Sequence, residues 1–522
     1  MPDLANNIKC GNSLIGPDFH ENQQMSLLDD EEMYRVNAFD WEAEFPKIMQ
    51  AGGFDAVIGN PPYIRIQAMK IWAPIEVEFY KKYYEAASKG NYDIYVVFVE
   101  KALQLLNRKN GIIGYILPHK FFEAKYGIPL RKLISDGRFL SEVVHFGDQQ
   151  VFAGATTYTC LLFLNKKDNK RFHFVKAHDL DAWTTNAKAD ECEICNEKVT
   201  GSEWNFSIGP NSALFEKLSE MPIKLGDVAH IFVGLQTDAD GIYIVEEVKR
   251  VGSSVFCRSK ETGQVHEFEN NHLKRFAKGS LNIRRYHLSG LTKRLIFPYE
   301  MRNKKSVLLS AKDYQERYPL TWAYLEANKS RLSLRGKGRL GNVDWFGYVY
   351  KKNHTRFNMP KLLVPSIAKG SCFAADIEGK FYFVGSGGGG GGGCGITLNP
   401  NINISYHYLL GVLNSKVSSY LLSLISTPFR GGYLALNRQY IEQLPIRIID
   451  FKNSDDKADH DQMVNLVNQM LAMNKKLAKA KTPQAKNMLQ RQIETTDKQI
   501  DQLVYKLYDL TNEEIKIVES ET

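Results

Sequence analysis

Asn60-Pro61-Pro62-Tyr63 is the stretch of this sequence whose residue types suit a chemical step. The exocyclic amine of adenine is a poor nucleophile, because its lone pair is delocalised into the ring. The side-chain oxygen of Asn60 and the backbone carbonyl of Pro61 can both accept hydrogen bonds from an NH2 group. Together they would pull its nitrogen toward a tetrahedral, nucleophilic form. Proline suits the second acceptor because its locked φ fixes where that carbonyl points. Tyr63 offers a flat face for stacking a base taken out of a duplex. The alternative is a plain strand-to-turn connection with Tyr63 packed into a core.

The apolar run Phe54-Asp55-Ala56-Val57-Ile58-Gly59 leads into this tetrapeptide. Val57 and Ile58 are β-branched and read as the end of a buried strand. Pro61 and Pro62 then stop any ladder or helix, leaving a rigid loop that presents Asn60 and Tyr63. Residues 75–107 have a helical pattern, with Tyr92, Tyr95, Val96, Val99, Leu103 and Leu106 on one buried face. Apolar strands are expected at 111–118, 143–146 and 159–164, with a helix at about 127–135. Alternating helices and strands indicate an α/β domain with a mostly parallel sheet, and such sheets bind ligands at the carboxyl ends of their strands. Asn60 falls at such an end. The loop Phe146 to Thr157 carries Phe152, which by itself reads as a core plug. Asn7 to Gly16 reads as a short strand and a polar turn.

The 522 residues suffice for two or three domains and a large core. With 43% hydrophobic and 24% charged residues, the composition is that of an ordinary globular protein. Seven scattered cysteines argue against a disulfide framework, and Cys192-Glu-Ile-Cys195 without a second pair reads as a surface turn rather than a metal site. No apolar run reaches the ~18 residues a membrane span needs. A cytoplasmic protein without a membrane partner or bound metal is the expectation.

Residues 222–450 have a different texture, with short β-like pieces, many glycines and clustered charge. The formal net charge of +8 matters less than where it lies. From Asn271 to Phe297 there are seven Lys/Arg and no acid, including Arg284 and Arg285. From Arg331 to Lys361 there are eight Lys/Arg and one Asp, including Lys337, Arg339, Lys351, Lys352 and Arg356, interleaved with Trp345, Phe346, Tyr348 and Tyr350. Phe429-Arg430-Gly431-Gly432-Tyr433 reads as an exposed turn. Basic residues mixed with aromatics and glycines suit a surface that tracks phosphates and meets bases. The glycine run 387–393 is expected as a flexible loop between strands, and Leu409 to Leu424 as one apolar helix. In the tail, Leu489, Ile493, Ile500, Leu503, Leu507 and Leu510 approximate a heptad seam, and Thr482-Pro483 splits it into an antiparallel hairpin.

Several of these stretches together resemble a known family. Asn7-Ile-Lys-Cys-Gly-Asn-Ser-Leu-Ile15, Asn60-Pro-Pro-Tyr63, Asn91-Tyr-Asp-Ile-Tyr95, Glu100-Lys-Ala-Leu103, Ile116-Leu-Pro118 and Val151-Phe152 are similar to the gamma-class N6-adenine DNA methyltransferases. The methyltransferase and specificity parts of TaqI-like Type IIG restriction–modification enzymes are the nearer match. The resemblance implies an α/β, Rossmann-like methyltransferase domain, incomplete at its N-terminus, at 1–180. A connecting segment at 181–221, an α+β target-recognition domain at 222–450 and a helical tail at 455–522 would follow. It implies that Asn60 and Pro61 bind the target amine beside Pro62, that Tyr63 and Phe152 sandwich a flipped adenine, and that Asn12 contacts the adenine moiety of S-adenosylmethionine. Double-stranded DNA would be the partner. The family's Gly-rich methionine-binding motif is not found in this sequence, so the resemblance also implies a C-terminal part of a longer enzyme. The alternative is a specificity half served by an N-terminal methyltransferase or nuclease chain. Glutamine methylation in a protein is a third reading, which the basic second region disfavours.

Overall fold

The computed structural model describes residues 7–21, 34–147, 149–152, 157–177, 179–186, 189–202, 204, 206, 210–338, 344–385 and 391–521. The chain divides into two compact units, Met1–Gly209 and Pro210–Thr522.

The first unit is built on six strands: β1 (Ala56–Gly59), β2 (Ile112–Pro118), β3 (Leu140–His145), β4 (Thr159–Asn165), β5 (Arg171–Lys176) and β6 (Asp190–Cys195), in the order β1-β2-β4-β3-β5-β6. β1 runs parallel to β2, and β3 to β5, but β4 is antiparallel to both β2 and β3. The sheet is therefore mixed rather than mostly parallel. Because β1, β2, β3 and β5 share a direction, the loops that follow them leave one edge of the sheet. Helices α1 (Tyr95–Leu105) and α2 (Ile128–Asp136) contribute to a core around Tyr95, Val96, Val99, Ile113, Leu117, Leu130 and Leu162. Val144, Phe146, Val175 and Ala177 form a smaller core with Trp183.

Five expectations meet a different structure. Residues 75–107 do not form one helix: Pro74–Tyr83 and α1 are separated by a stretch in which Gly90 takes φ +70°. The face expected on that helix is nonetheless buried throughout. β1 is an edge strand, and Ile58 is 87% exposed rather than buried. Cys192 and Cys195 lie on β6, not in a turn. Residues 7–16, expected as a short strand and a polar turn, hold an isolated bridge of Asn12 with Ala38 in place of the strand. The stretch 181–221, expected to connect domains, supplies β6, the sixth strand of the first sheet.

The second unit contains a six-stranded sheet that includes Ile244–Val251 and Lys293–Leu295, and a four-stranded sheet that includes Lys361–Pro365 and Gly393–Leu398. Gly393, last of the glycine run, thus begins a strand; residues 386–390 lie outside the described residues. The expected apolar helix is two helices, α3 (Tyr406–Asn414) and α4 (Lys416–Ile425), bent by 61°. Ser415 causes the break: its hydroxyl accepts the Ser418 N–H and starts the second helix. No single helix among the described residues is long and apolar enough to cross a membrane.

The tail begins as the expected hairpin, α5 (Ser454–Leu477) and α6 (Pro483–Leu507), with the Thr482 hydroxyl capping α6. α5 packs on α3, and α6 on both α3 and α4. A third helix, Asn512–Glu521, follows. The Asp501 carboxylate of α6 accepts the Lys416 N–H at 2.8 Å, at the start of α4. Burial pushes its pKa up to about 6, against the lowering effect of that hydrogen bond. The fold therefore favours the protonated form; this contribution is complete below about pH 4 and is lost as pH rises through 6. Asp501→Asn keeps an acceptor without the charge. It is expected to stabilise the protein at pH 8 by on the order of 2 kcal/mol, an advantage that vanishes below pH 4. Thermal melts of both proteins from pH 4 to 8 measure this, and parallel curves would refute it.

Candidate active site

β1 ends at Gly59, where a Cβ would come within 2.9 Å of the Tyr115 ring on β2. Only glycine lets the strand run this close to that ring. The prolines then carry the chain off the sheet, and residues 64–66 pair with 92–94: Ile66 N donates to Tyr92 O and Ile94 N to Ile64 O, each at 2.9 Å. The Asn91–Tyr95 segment therefore anchors the far side of the loop. Asn60 is exposed, and among the described residues its amide has no hydrogen-bond partner. Pro61 is buried and Pro62 exposed.

Tyr63 is half-buried and held from two sides. Its hydroxyl donates to Ile116 O at 3.2 Å, and its ring meets the Tyr95 ring edge-on at 6.4 Å. Burial, and secondarily Cys160, push the Tyr63 phenol up to about 12, so it stays neutral. Tyr95 is hydrogen-bonded to Tyr126 at 2.9 Å, and Tyr126 in turn to Asp93. Burial raises the Asp93 carboxyl, while Lys120 and Arg65 oppose the shift. This chain of rings and hydroxyls fixes the plane of Tyr63.

The loop after β3 leaves the same sheet edge and carries Phe152, half-buried; Asp148 and residues 153–156 lie outside the described residues. Its first turn is held by His119, just beyond β2, and His145, the last residue of β3. Neither was singled out from the sequence, although each closes an apolar strand run. Asn12 is half-buried; its side-chain oxygen accepts the Leu14 N–H at 3.2 Å, and its side chain also meets the Tyr80 hydroxyl. The neighbouring Tyr92 hydroxyl is buried without a partner among the described residues.

In the second unit the basic candidates divide. Lys351 and Lys352 are exposed and have no partner among the described residues. Arg430 is likewise free, at the tip of a hairpin in which Phe429 pairs with Tyr433 and Gly431 and Gly432 take positive φ. Arg356 donates to the Thr397 hydroxyl at 3.3 Å. Arg284 is exposed but folded back onto the carbonyls of Ser280, Leu281 and Ile283. Arg285 is half-buried and already committed: its guanidinium grips Asp497 of α6 at 2.8 and 2.9 Å and donates to Asn414 O. Lys337 lies in the turn Arg335–Gly338, and Arg339 falls outside the described residues. The aromatics between these cations mostly face inward. Trp345, Phe346 and Tyr348 are core residues, and Arg335 holds their segment by donating to the Trp345 and Gly347 carbonyls; Tyr350 alone of the four is exposed.

Residues 3–152 match the model of the Eco57I restriction-modification methylase family, and residues 282–446 that of the TaqI-like C-terminal specificity domain. The chain is 27% identical over 533 residues to the Type II restriction enzyme and methyltransferase RM.Eco57I of Escherichia coli, covering 98% of this chain and 50% of that protein. It is 26% identical to the Type II methyltransferase M.XhoI of Xanthomonas vasicola, over 77% of this chain and 69% of that one. The chain thus spans about half the length of the Eco57I enzyme. Among solved structures, the Type IIL restriction-modification enzyme MmeI in complex with DNA shares the fold, with a TM-score of 0.57 and 10% identity over 92% of this chain and 58% of that one.

Proposed function

We propose that this chain, in which an Eco57I-type methylase domain precedes a TaqI-like C-terminal specificity domain, is a site-specific DNA adenine N6-methyltransferase of a restriction–modification system. The observation that carries this reading is the Asn60 loop: an amide at a strand end without a partner among the described residues, followed by a buried proline and a ring locked in plane.

The duplex adenine is flipped out and stacks on Tyr63, with Phe152 as the second wall. Asn60 Oδ1 and the Pro61 carbonyl accept the two amine hydrogens, which withdraws the N6 lone pair from the ring and turns it outward. S-adenosylmethionine, when bound, supplies an electrophilic methyl on a sulfonium. That sulfonium methyl would be the group N6 accepts, the thioether being the leaving group, and the surplus N6 proton would leave to water. The loop contributes position and hydrogen bonding rather than a base. Asn12 would offer a neutral contact to the cofactor's adenine moiety through one amide hydrogen, since its oxygen accepts the Leu14 N–H and its other amide hydrogen meets the Tyr80 hydroxyl. The described residues include no Gly-rich loop for the methionine portion.

Incubation with S-adenosylmethionine and duplex DNA, followed by nucleoside mass spectrometry, tests the proposal. N6-methyladenine is the expected product, and N4-methylcytosine would overturn the base assignment. On the DNA side, Lys351→Ala/Lys352→Ala is expected to lower the slope of log K against log salt by about two, with sequence preference kept. An unchanged slope in fluorescence anisotropy would remove these lysines from the interface.

One observation favours a second reading, a specificity half whose cofactor site sits on a separate N-terminal methyltransferase or nuclease chain. β1 presents an unpaired strand edge in the described structure, with Ile58 87% exposed. Calorimetry of S-adenosylmethionine with the purified chain separates the two: binding supports the complete transferase, and DNA affinity without cofactor binding supports the half.

A further inference from the structure

Gly147 is held by both of its backbone polar groups. Its N–H donates to His145 Nδ1 at 3.0 Å, and its carbonyl accepts from His119 Nε2 at 3.3 Å. These contacts assign the tautomers: His145 carries its proton on Nε2, and His119 also on Nε2. Both rings are kept neutral. Desolvation lowers the His119 pKa to about 4 and takes that of His145 well below its ordinary value, with His119 and Lys176 adding to the latter shift.

The two imidazoles pack on each other at 4.3 Å between centroids. His119 lies parallel to Tyr158, and His145 meets Phe122 and Phe174. Gly147 takes φ +60°, yet nothing lies within 4 Å of where a Cβ would stand. Backbone conformation, not space, is what requires glycine there. Two residues on, Gln149 bridges Phe146 O and Ala177 O through its amide nitrogen and accepts the Leu180 N–H through its oxygen. The turn is thus fixed from β2, β3 and the end of β5 before the chain reaches Phe152.

We propose that His119 and His145 are positioning residues for the methyl transfer: as a neutral pair they hold Gly147 in its left-handed conformation and so set the direction in which the loop carries Phe152 toward the flipped base. This rests on the reading of Asn60 and Phe152 given above. The pair acts through the backbone and touches neither base nor cofactor. A core histidine that served packing alone would be replaceable by phenylalanine; one that serves as a hydrogen-bonding group is not.

The test uses the full chain and paired variants. Asn reproduces the acceptor at Nδ1 and Gln the donor at Nε2, whereas Phe keeps the ring and neither function. His145→Phe and His119→Phe are expected to lower single-turnover methylation at least ten-fold with KM for DNA within two-fold. They should also dim the fluorescence of 2-aminopurine placed at the target adenine, and speed deuterium uptake in a peptide spanning 146–152. His145→Asn and His119→Gln should return all three to within three-fold of the parent. Gly147→Ala, which disturbs the clamp without touching either ring, should reproduce the Phe phenotype and covers the case in which a Phe variant fails to fold. Phe variants matching the parent in uptake and rate, or Asn and Gln variants as impaired as Phe, would overturn the proposal. Faster uptake in the Phe variants of a chain that never methylates would keep the clamp and defeat the transferase reading instead.

Discussion

Asn60→Ala is expected to lower methyl transfer by about 10²–10³-fold in kcat while leaving duplex affinity within two-fold. The magnitude follows from what removing one preorganised hydrogen-bonding group costs at a centre where charge develops. The side chain is exposed and has no partner among the described residues, so its loss should not disturb the fold. Asn60→Asp keeps acceptor oxygens and should retain more activity than Ala. Single-turnover transfer of labelled methyl and anisotropy of a labelled duplex measure both quantities. Methylation by Asn60→Ala at the parental rate would show that the Asn60 loop is only a turn.

Arg335→Met should produce the largest loss of stability in the second unit, about 3–5 kcal/mol. Arg335 is buried and donates to the carbonyls of Leu332, Thr237, Trp345 and Gly347 and to the Tyr243 hydroxyl. It also lies over the Tyr243 ring at 5.2 Å. Methionine fills the volume but leaves several buried acceptors without donors, at about 1–3 kcal/mol each before relaxation. Arg335→Lys supplies a single flexible ammonium and should recover only part. Calorimetric scans should show the transition of the second unit shifted downward and that of the first unchanged. Limited proteolysis should gain cuts between residues 237 and 347. A shift under 2 °C would refute the stabilising role of these Arg335 bonds.

The contrast between these two residues explains what the sequence made legible. Asn60 announces itself because two prolines and an apolar run restrict the backbone locally, whatever the rest of the chain does. The tail hairpin was legible for the same reason, since Thr482 and Pro483 start a helix by short-range bonds. Arg335 and Arg285 sit among other cations, and nothing nearby in sequence separates an arginine engaged by the fold from a free one. Their partners lie far along the chain, Thr237 for one and Asp497 for the other. The break at Ser415 is not legible because a serine inside an apolar run is tolerated by a helix; here it caps a new one, with Asp501 of the tail accepting the Lys416 N–H. β1 reads as buried because β-branched residues favour strands on edge and interior alike. His119 and His145 escape a sequence reading too, because what distinguishes them is a contact with one backbone group of Gly147 each.

The grip of Arg285 on Asp497 also bears on how such chains can be recombined. The specificity segment matched at 282–446 contains Arg285, Asn414 and Lys416, but Asp497 and Asp501 belong to the tail. A graft of that segment alone would carry a guanidinium away from its carboxylate and leave both to face a foreign surface. A segment that keeps these contacts must travel with its tail helices, and its start falls near residue 210, where the second compact unit begins, rather than at 282.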